Sequence, residues 1–143
     1  MASSSRRHGR EVALQALYAT EVGKRPADEM LTELLARDES SEGRAFVRDL
    51  VMGTLENEDE SDALIAPLLE GWTIDRLPTI DRIILRMSAF ELKHRKEIDP
   101  AVVINEAVEL AKKFSTEDSG RYVNGVLGRV LGARSVPQLR QGT

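Results

Sequence analysis

Cysteine is absent from these 143 residues, so disulfides, thiolate metal sites and a cysteine nucleophile are all excluded. Histidine is scarce: only His8 and His94 carry imidazoles, and a zinc site would have to be built mostly from carboxylates. Neither a metal nor a cofactor is expected. No apolar run approaches the roughly 20 residues needed to span a bilayer. The N-terminus also lacks the apolar centre of a secretory signal, so no membrane partner is expected and the expected location is cytoplasmic. Convincing strand alternation is missing too and hairpin signals are few, which argues against a β fold. Catalytic patterns are equally absent: there is no nucleophile elbow, no glycine loop to cradle phosphate, and no Cys-His or Ser-His pairing that spacing supports. These absences leave a binding module as the default and disfavour an enzyme.

What is present is an uneven charge. The net charge is −4, which taken alone disfavours nucleic acid. Residues 1–27, however, carry five Lys/Arg against two Asp/Glu, a balance of +3, whereas residues 28–62 carry three against twelve, or −9. Residues 63–143 return to +2, with twelve against ten. An anionic polymer is therefore drawn to the N-terminus and the C-terminal half and repelled by the second quarter.

The rest of the chain is helical spacing. Ser5 is a candidate N-cap for a first helix with Val12, Ala13, Leu14, Ala16, Leu17 and Tyr18, and Arg6, Arg7 and Arg10 crowd its start. Cations there oppose the helix dipole, an arrangement unfavourable by about 0.3–1 kcal/mol each when exposed. A phosphate contact would offset that cost; a solvated basic end is the plainer alternative. Gly23 ends this helix, and Met30, Leu31, Leu34 and Leu35 mark the next. Ser40 or Ser41 caps a third with Phe46, Val47, Leu50, Val51 and Leu55 on one face.

The acidic run Glu56–Asp62 reads as a solvated continuation or a short break, and lacks the spacing and central glycine of a calcium loop. Ala63–Leu69 returns to helical apolar spacing, with Pro67 implying a kink or a late restart. Trp72, the only tryptophan, reads as a core plug at the connection between two halves, over an exposed stacking platform. Ile80, Ile83, Ile84, Met87, Phe90 and Leu92 then define the most hydrophobic helix, with Asp81, Arg82, Arg86 and Glu91 off its apolar face and Asp81 and Arg82 as surface charges.

Asp99 and Pro100 begin a sixth helix, whose apolar face is Val103, Ala107, Leu110, Ala111 and Phe114. Glu106, Glu109, Lys112 and Lys113 are expected outside, and Glu106 and Glu109 as a polar face more than an acid/base pair. Ser115 and Asp118 resemble a capping box, starting a seventh helix near Thr116 with Tyr122, Val123, Val126, Leu127 and Val130. Gly125 and Gly128 inside it suggest a close backbone neighbour or simple tolerance. The expectation is an all-α single domain of about seven helices in two packed subdomains, about 6–71 and 72–132, with a loose tail over 133–143.

Three stretches, RRHGREVALQALYATE, RLPTIDRIILRMSAFEL and VVINEAVELAKKFSTEDSGRYVNGVL, resemble the hallmarks of the NusB family of bacterial transcription antitermination factors. The match spans about residues 6–131. The resemblance implies a helical, non-enzymatic RNA-binding adaptor that pairs with the ribosomal protein NusE and binds the boxA element of ribosomal RNA transcripts, with RNA polymerase as an indirect partner. By position it implies RNA contacts at Arg6, Arg7, Arg10, Asp118, Arg121 and Tyr122, and NusE contacts at Tyr18 and Asp81. Two departures stand out. The family's basic start is often richer in arginine than Arg6-Arg7-His8-Gly9-Arg10, which implies weaker RNA affinity without NusE, and Tyr122 stands where the family has phenylalanine.

Two other readings compete. One is the RNA-binding accessory domain found at the front of some RNA cytosine methyltransferases, although no cofactor-binding domain follows before Thr143. The other is a self-associating protein scaffold, and a homodimer that masks the arginines is physically allowed.

Overall fold

The computed structural model describes residues 3–36 and 40–135. Among these are seven α-helices and no strand: α1 (Ser3–Glu21), α2 (Ala27–Leu35), α3 (Ser41–Glu56), α4 (Glu58–Ile65), α5 (Thr79–His94), α6 (Pro100–Phe114) and α7 (Glu117–Ser135). Two 3₁₀ turns, Ala66–Leu68 and Ile74–Arg76, join α4 to α5. The helices fall into two compact units, Met1–Asn57 and Glu58–Thr143. The boundary thus lies at the α3–α4 junction, not near Gly71 as the sequence suggested. Its physical reason is that α4 is bonded to α5, within the second unit.

In the first unit α1 packs against α2 and α3. The apolar spacing holds: Val12, Ala13, Leu14, Ala16 and Leu17 are buried, as are Leu31, Leu35, Val47, Leu50 and Val51. Ser5, expected at the start of α1, lies inside it, because the helix already runs from Ser3. At Gly9 α1 lies close against α3, since a Cβ there would lie 2.9 Å from Cδ2 of Phe46. Ser40 caps α3, its Oγ accepting from the Gly43 amide at 3.0 Å.

The second unit is built around α5, which packs on α4, α6 and α7. Besides Ile83, Ile84, Met87, Phe90 and Leu92, it buries Leu85, Ala89 and three polar residues, Asp81, Ser88 and Glu91. A helix contacted on three sides has almost no free face, which is why Asp81 and Glu91, expected outside, are inside. Glu106 on α6 is likewise buried, although Glu109, Lys112 and Lys113 are exposed as expected. Asp99 caps α6 through a 2.9 Å bond from the Ala101 amide.

The acidic stretch is a short break at Asn57 followed by α4, and it is not simply solvated. Arg86 of α5 donates from Nε and Nη2 to both oxygens of Asp62, at 2.7 and 2.8 Å, and His94 Nε2 lies 2.7 Å from Glu60 Oε1. Trp72 is 49% exposed, so it does not plug a core. Gly71, at φ +80°, turns the chain just before it in a conformation that glycine adopts without strain. The expected tail lies mostly outside the described residues, since α7 continues to Ser135.

Candidate nucleic-acid interface

On the first unit the N-terminal arginines are organised by an aromatic ring. The guanidinium of Arg6 sits 5.0 Å from the centroid of Phe46, and that of Arg10 sits 5.3 Å away. Cation–aromatic contacts of this kind contribute about 0.5–1 kcal/mol when exposed and more when desolvated. Arg10 is only 3% exposed, which corrects the picture of a uniformly solvated basic end. Arg7 and His8 are exposed and Arg6 is half-buried. Arg7 therefore presents its charge outward, while Arg10 is part of the support. Phe46 escaped sequence reading as a site residue because its spacing marked it as core.

On the second unit the corner between α6 and α7 sets the geometry. Thr116, not Ser115, supplies the cap: its Oγ1 accepts from the Ser119 amide at 2.9 Å. Ser115 instead shares a hydroxyl contact with Ser119 at 2.9 Å. Ser119 Oγ donates onward to Asp81 Oδ2 at 2.8 Å. Asp81 is 4% exposed, and so it ties the start of α7 to the first turn of α5 from within.

With the cap provided by Thr116, Asp118 is left exposed and pairs with Arg121 one turn later. Both side chains are largely in solvent, and such a pair is worth about 0–1 kcal/mol. Arg121 can therefore exchange Asp118 for a ligand oxygen at little cost. Tyr122 is half-buried, and its hydroxyl is bonded to the backbone of Glu70. Asp118, Arg121 and Tyr122 come together with Glu70, Gly125 and Arg129 around an open cleft of about 320 Å³.

Glu70 and Arg129 were not singled out in the sequence. Arg129 falls seven residues after Tyr122, two turns along the same helix face, and that spacing was readable. Glu70 was not, since only the fold brings it to α7. Gly125, between Tyr122 and Arg129, meets no backbone; a Cβ there would meet only the Arg129 guanidinium, at 3.4 Å, and at Gly128 it would meet nothing. The suggestion of a close backbone neighbour at these two glycines is therefore corrected.

The cleft carries two guanidinium groups and two carboxylates, so its formal charges cancel. It is not a simple anion trap. Donors, acceptors and an aromatic edge side by side suit the polar edge of an unstacked base joined to a phosphate. Of the two residues expected at a protein partner, Tyr18 is 41% exposed on α1, with Val22 exposed one turn further on. Asp81, expected as a surface charge, is buried. Among the described residues no group of His, Asp and Glu could hold a metal ion, and no helix is long and apolar enough to cross a membrane.

Comparison with known proteins places this architecture. Residues 7–132 match the NusB family model. A transcription antitermination protein NusB from an Exiguobacterium species is 45% identical over 126 residues, covering 88% of this chain and 96% of its own length. The NusB from Symbiobacterium thermophilum is 41% identical over 136 residues, covering 89% of each chain. Among solved structures, T. maritima NusB superposes with a TM-score of 0.82 at 36% identity, covering 87% of this chain and 89% of that one. A chain from a crystal structure of the antitermination factors NusB and NusE in complex with dsRNA gives 0.83 at 28% identity, covering 92% and 99%. With a family match that takes in all of α5 and α6 and the cleft-lining residues of α7, and with relatives above 40% identity over most of their length, this chain belongs to the NusB family of transcription antitermination proteins.

Proposed function

We propose that this chain is a non-enzymatic RNA-binding adaptor that pairs with NusE and engages boxA RNA, reaching RNA polymerase only through the complex so formed. The observation that carries the reading is the cleft of the second unit, where Asp118, Arg121 and Tyr122 stand together. The NusB–NusE–dsRNA structure of a relative supports the pairing with NusE and with RNA.

Within this reading Arg7 and Arg121 hold phosphates, Asp118 accepts from a base amino group, and Tyr122 offers a ring edge. Arg6 and Arg10 act through Phe46 as a preset basic turn. Trp72, exposed on the same unit as the cleft, is a further face on which a base can stack. Tyr18 and the neighbouring Val22 supply apolar contact to NusE. Asp81 serves that partner indirectly, by fixing the first turn of α7 through Ser119.

The test is a pair of charge reversals, Arg7→Glu and Arg121→Glu, each assayed for binding to a boxA-like RNA and to a scrambled RNA. Each is expected to weaken boxA binding at least about tenfold, the size of effect associated with a charged hydrogen bond of 1.5–3 kcal/mol. If both variants bind boxA like the parent chain, a protein-only scaffold becomes the better reading.

A further inference from the structure

We propose that the Tyr122 hydroxyl and Arg129 form a clasp that positions the Leu68–Glu70 backbone as one wall of the cleft, making both positioning residues for RNA recognition. The consequence for RNA rests on the reading above; the geometry does not.

The clasped segment needs outside support. It follows the 3₁₀ turn Ala66–Leu68, passes through Leu69 in an extended conformation, and reverses at Gly71, where φ is +80°. Between two such breaks the backbone has no regular ladder to satisfy its polar groups. α7 supplies the partners. Tyr122 Oη donates to the Glu70 carbonyl at 3.0 Å and accepts from the Glu70 amide at 3.0 Å. Two turns further on, Arg129 Nε donates to the Leu68 carbonyl at 3.0 Å, and its Nη1 lies 3.5 Å from Glu70 Oε1.

Gly125 stands between the two arms, where a Cβ would come no closer than 3.4 Å to the Arg129 guanidinium. The result is that the Glu70 carboxylate lines the same cleft as Asp118 and Arg121. The phenol ring, held at its far end by two bonds, is ordered before any ligand arrives. Pre-ordering of this kind strengthens binding by removing the loss of rotamer freedom on association.

The ring and the hydroxyl can be separated by Tyr122→Phe, which keeps the aromatic surface and removes both bonds to Glu70. Arg129→Lys keeps the charge and removes the fixed Nε geometry. In the full chain, amide hydrogen exchange at Glu70 and affinity for a boxA-like RNA are measured for both variants. Tyr122→Phe is expected to speed exchange at Glu70 and to weaken RNA binding by about 3–10-fold, the range set by a net hydrogen-bond contribution near 1 kcal/mol. Arg129→Lys is expected to move both readouts in the same direction.

Unchanged exchange at Glu70 in Tyr122→Phe would overturn the clasp itself. Faster exchange with unaltered RNA affinity would overturn the positioning role. A parent chain that binds no boxA RNA would overturn the RNA reading and the positioning role with it, while the exchange result would still decide whether the clasp exists.

Discussion

At the scale of single residues, the informative cases are polar side chains the fold has drawn inside. Arg86 is the clearest, because two of its nitrogens meet both oxygens of Asp62 while its side chain is only 12% exposed. Removing Asp62 would leave that guanidinium without its main counterion. Asp62→Ala is expected to lower unfolding stability by about 2–4 kcal/mol, between the value of a charged hydrogen bond and that of a broken buried pair. Urea denaturation would check this, with a loss under about 0.5 kcal/mol, the size of an ordinary surface substitution, as the contrary result. Gly9 is the matching case for sterics. A methyl group added at Gly9 would sit only 2.9 Å from the Phe46 ring. Gly9→Ala therefore forces the ring to shift and is expected to cost about 1–3 kcal/mol through overpacking, read as a lowered thermal midpoint.

At the scale of helices, caps and apolar faces were legible in the sequence and the far faces were not. Asp99 at the start of α6 and Ser40 at the start of α3 were visible because the cap and its first turn are neighbours in sequence. The α7 cap was displaced by one residue, from Ser115 to Thr116, because both are hydroxyl residues and only the actual turn decides which reaches the Ser119 amide. Glu91 and Glu106 were misplaced because a simple amphipathic reading assumes one buried face, whereas α5 packs on α4, α6 and α7, and α6 packs on both α5 and α7. Trp72 was misplaced for a different reason: burial statistics favour a plug, but it lies 49% exposed between the two short 3₁₀ turns, directly after a left-handed glycine. The α7 cap also links stability to function. Thr116→Ala is expected to cost about 0.5–2 kcal/mol and, by loosening the turn that carries Asp118 and Arg121, to weaken boxA binding as well; circular dichroism melts and an RNA titration would check the two effects.

At the scale of the molecule, the all-α class followed from the absence of strand alternation and from seven apolar stripes. The unit boundary did not, because what assigns α4 to the second unit is a set of contacts with α5, from Asp62 and Glu58 to Arg86 and from Glu60 to His94, that join residues more than twenty positions apart. The candidate site divided in the same way. Asp118, Arg121 and Tyr122 were within reach because they lie close together on one helix, whereas Glu70 could be found only in the fold. Charge adds a constraint on function. A chain with net charge −4 and a cleft whose charges cancel has limited long-range attraction for RNA, so its affinity should depend on a few local contacts and on a partner. The most direct measurement is therefore binding to a short boxA RNA and to a scrambled RNA, with and without NusE, across a salt series. The account predicts that NusE tightens binding to boxA and not to the scramble, and that log affinity falls linearly with log salt as phosphate contacts release counterions. Failure to bind boxA in the presence of NusE would contradict it.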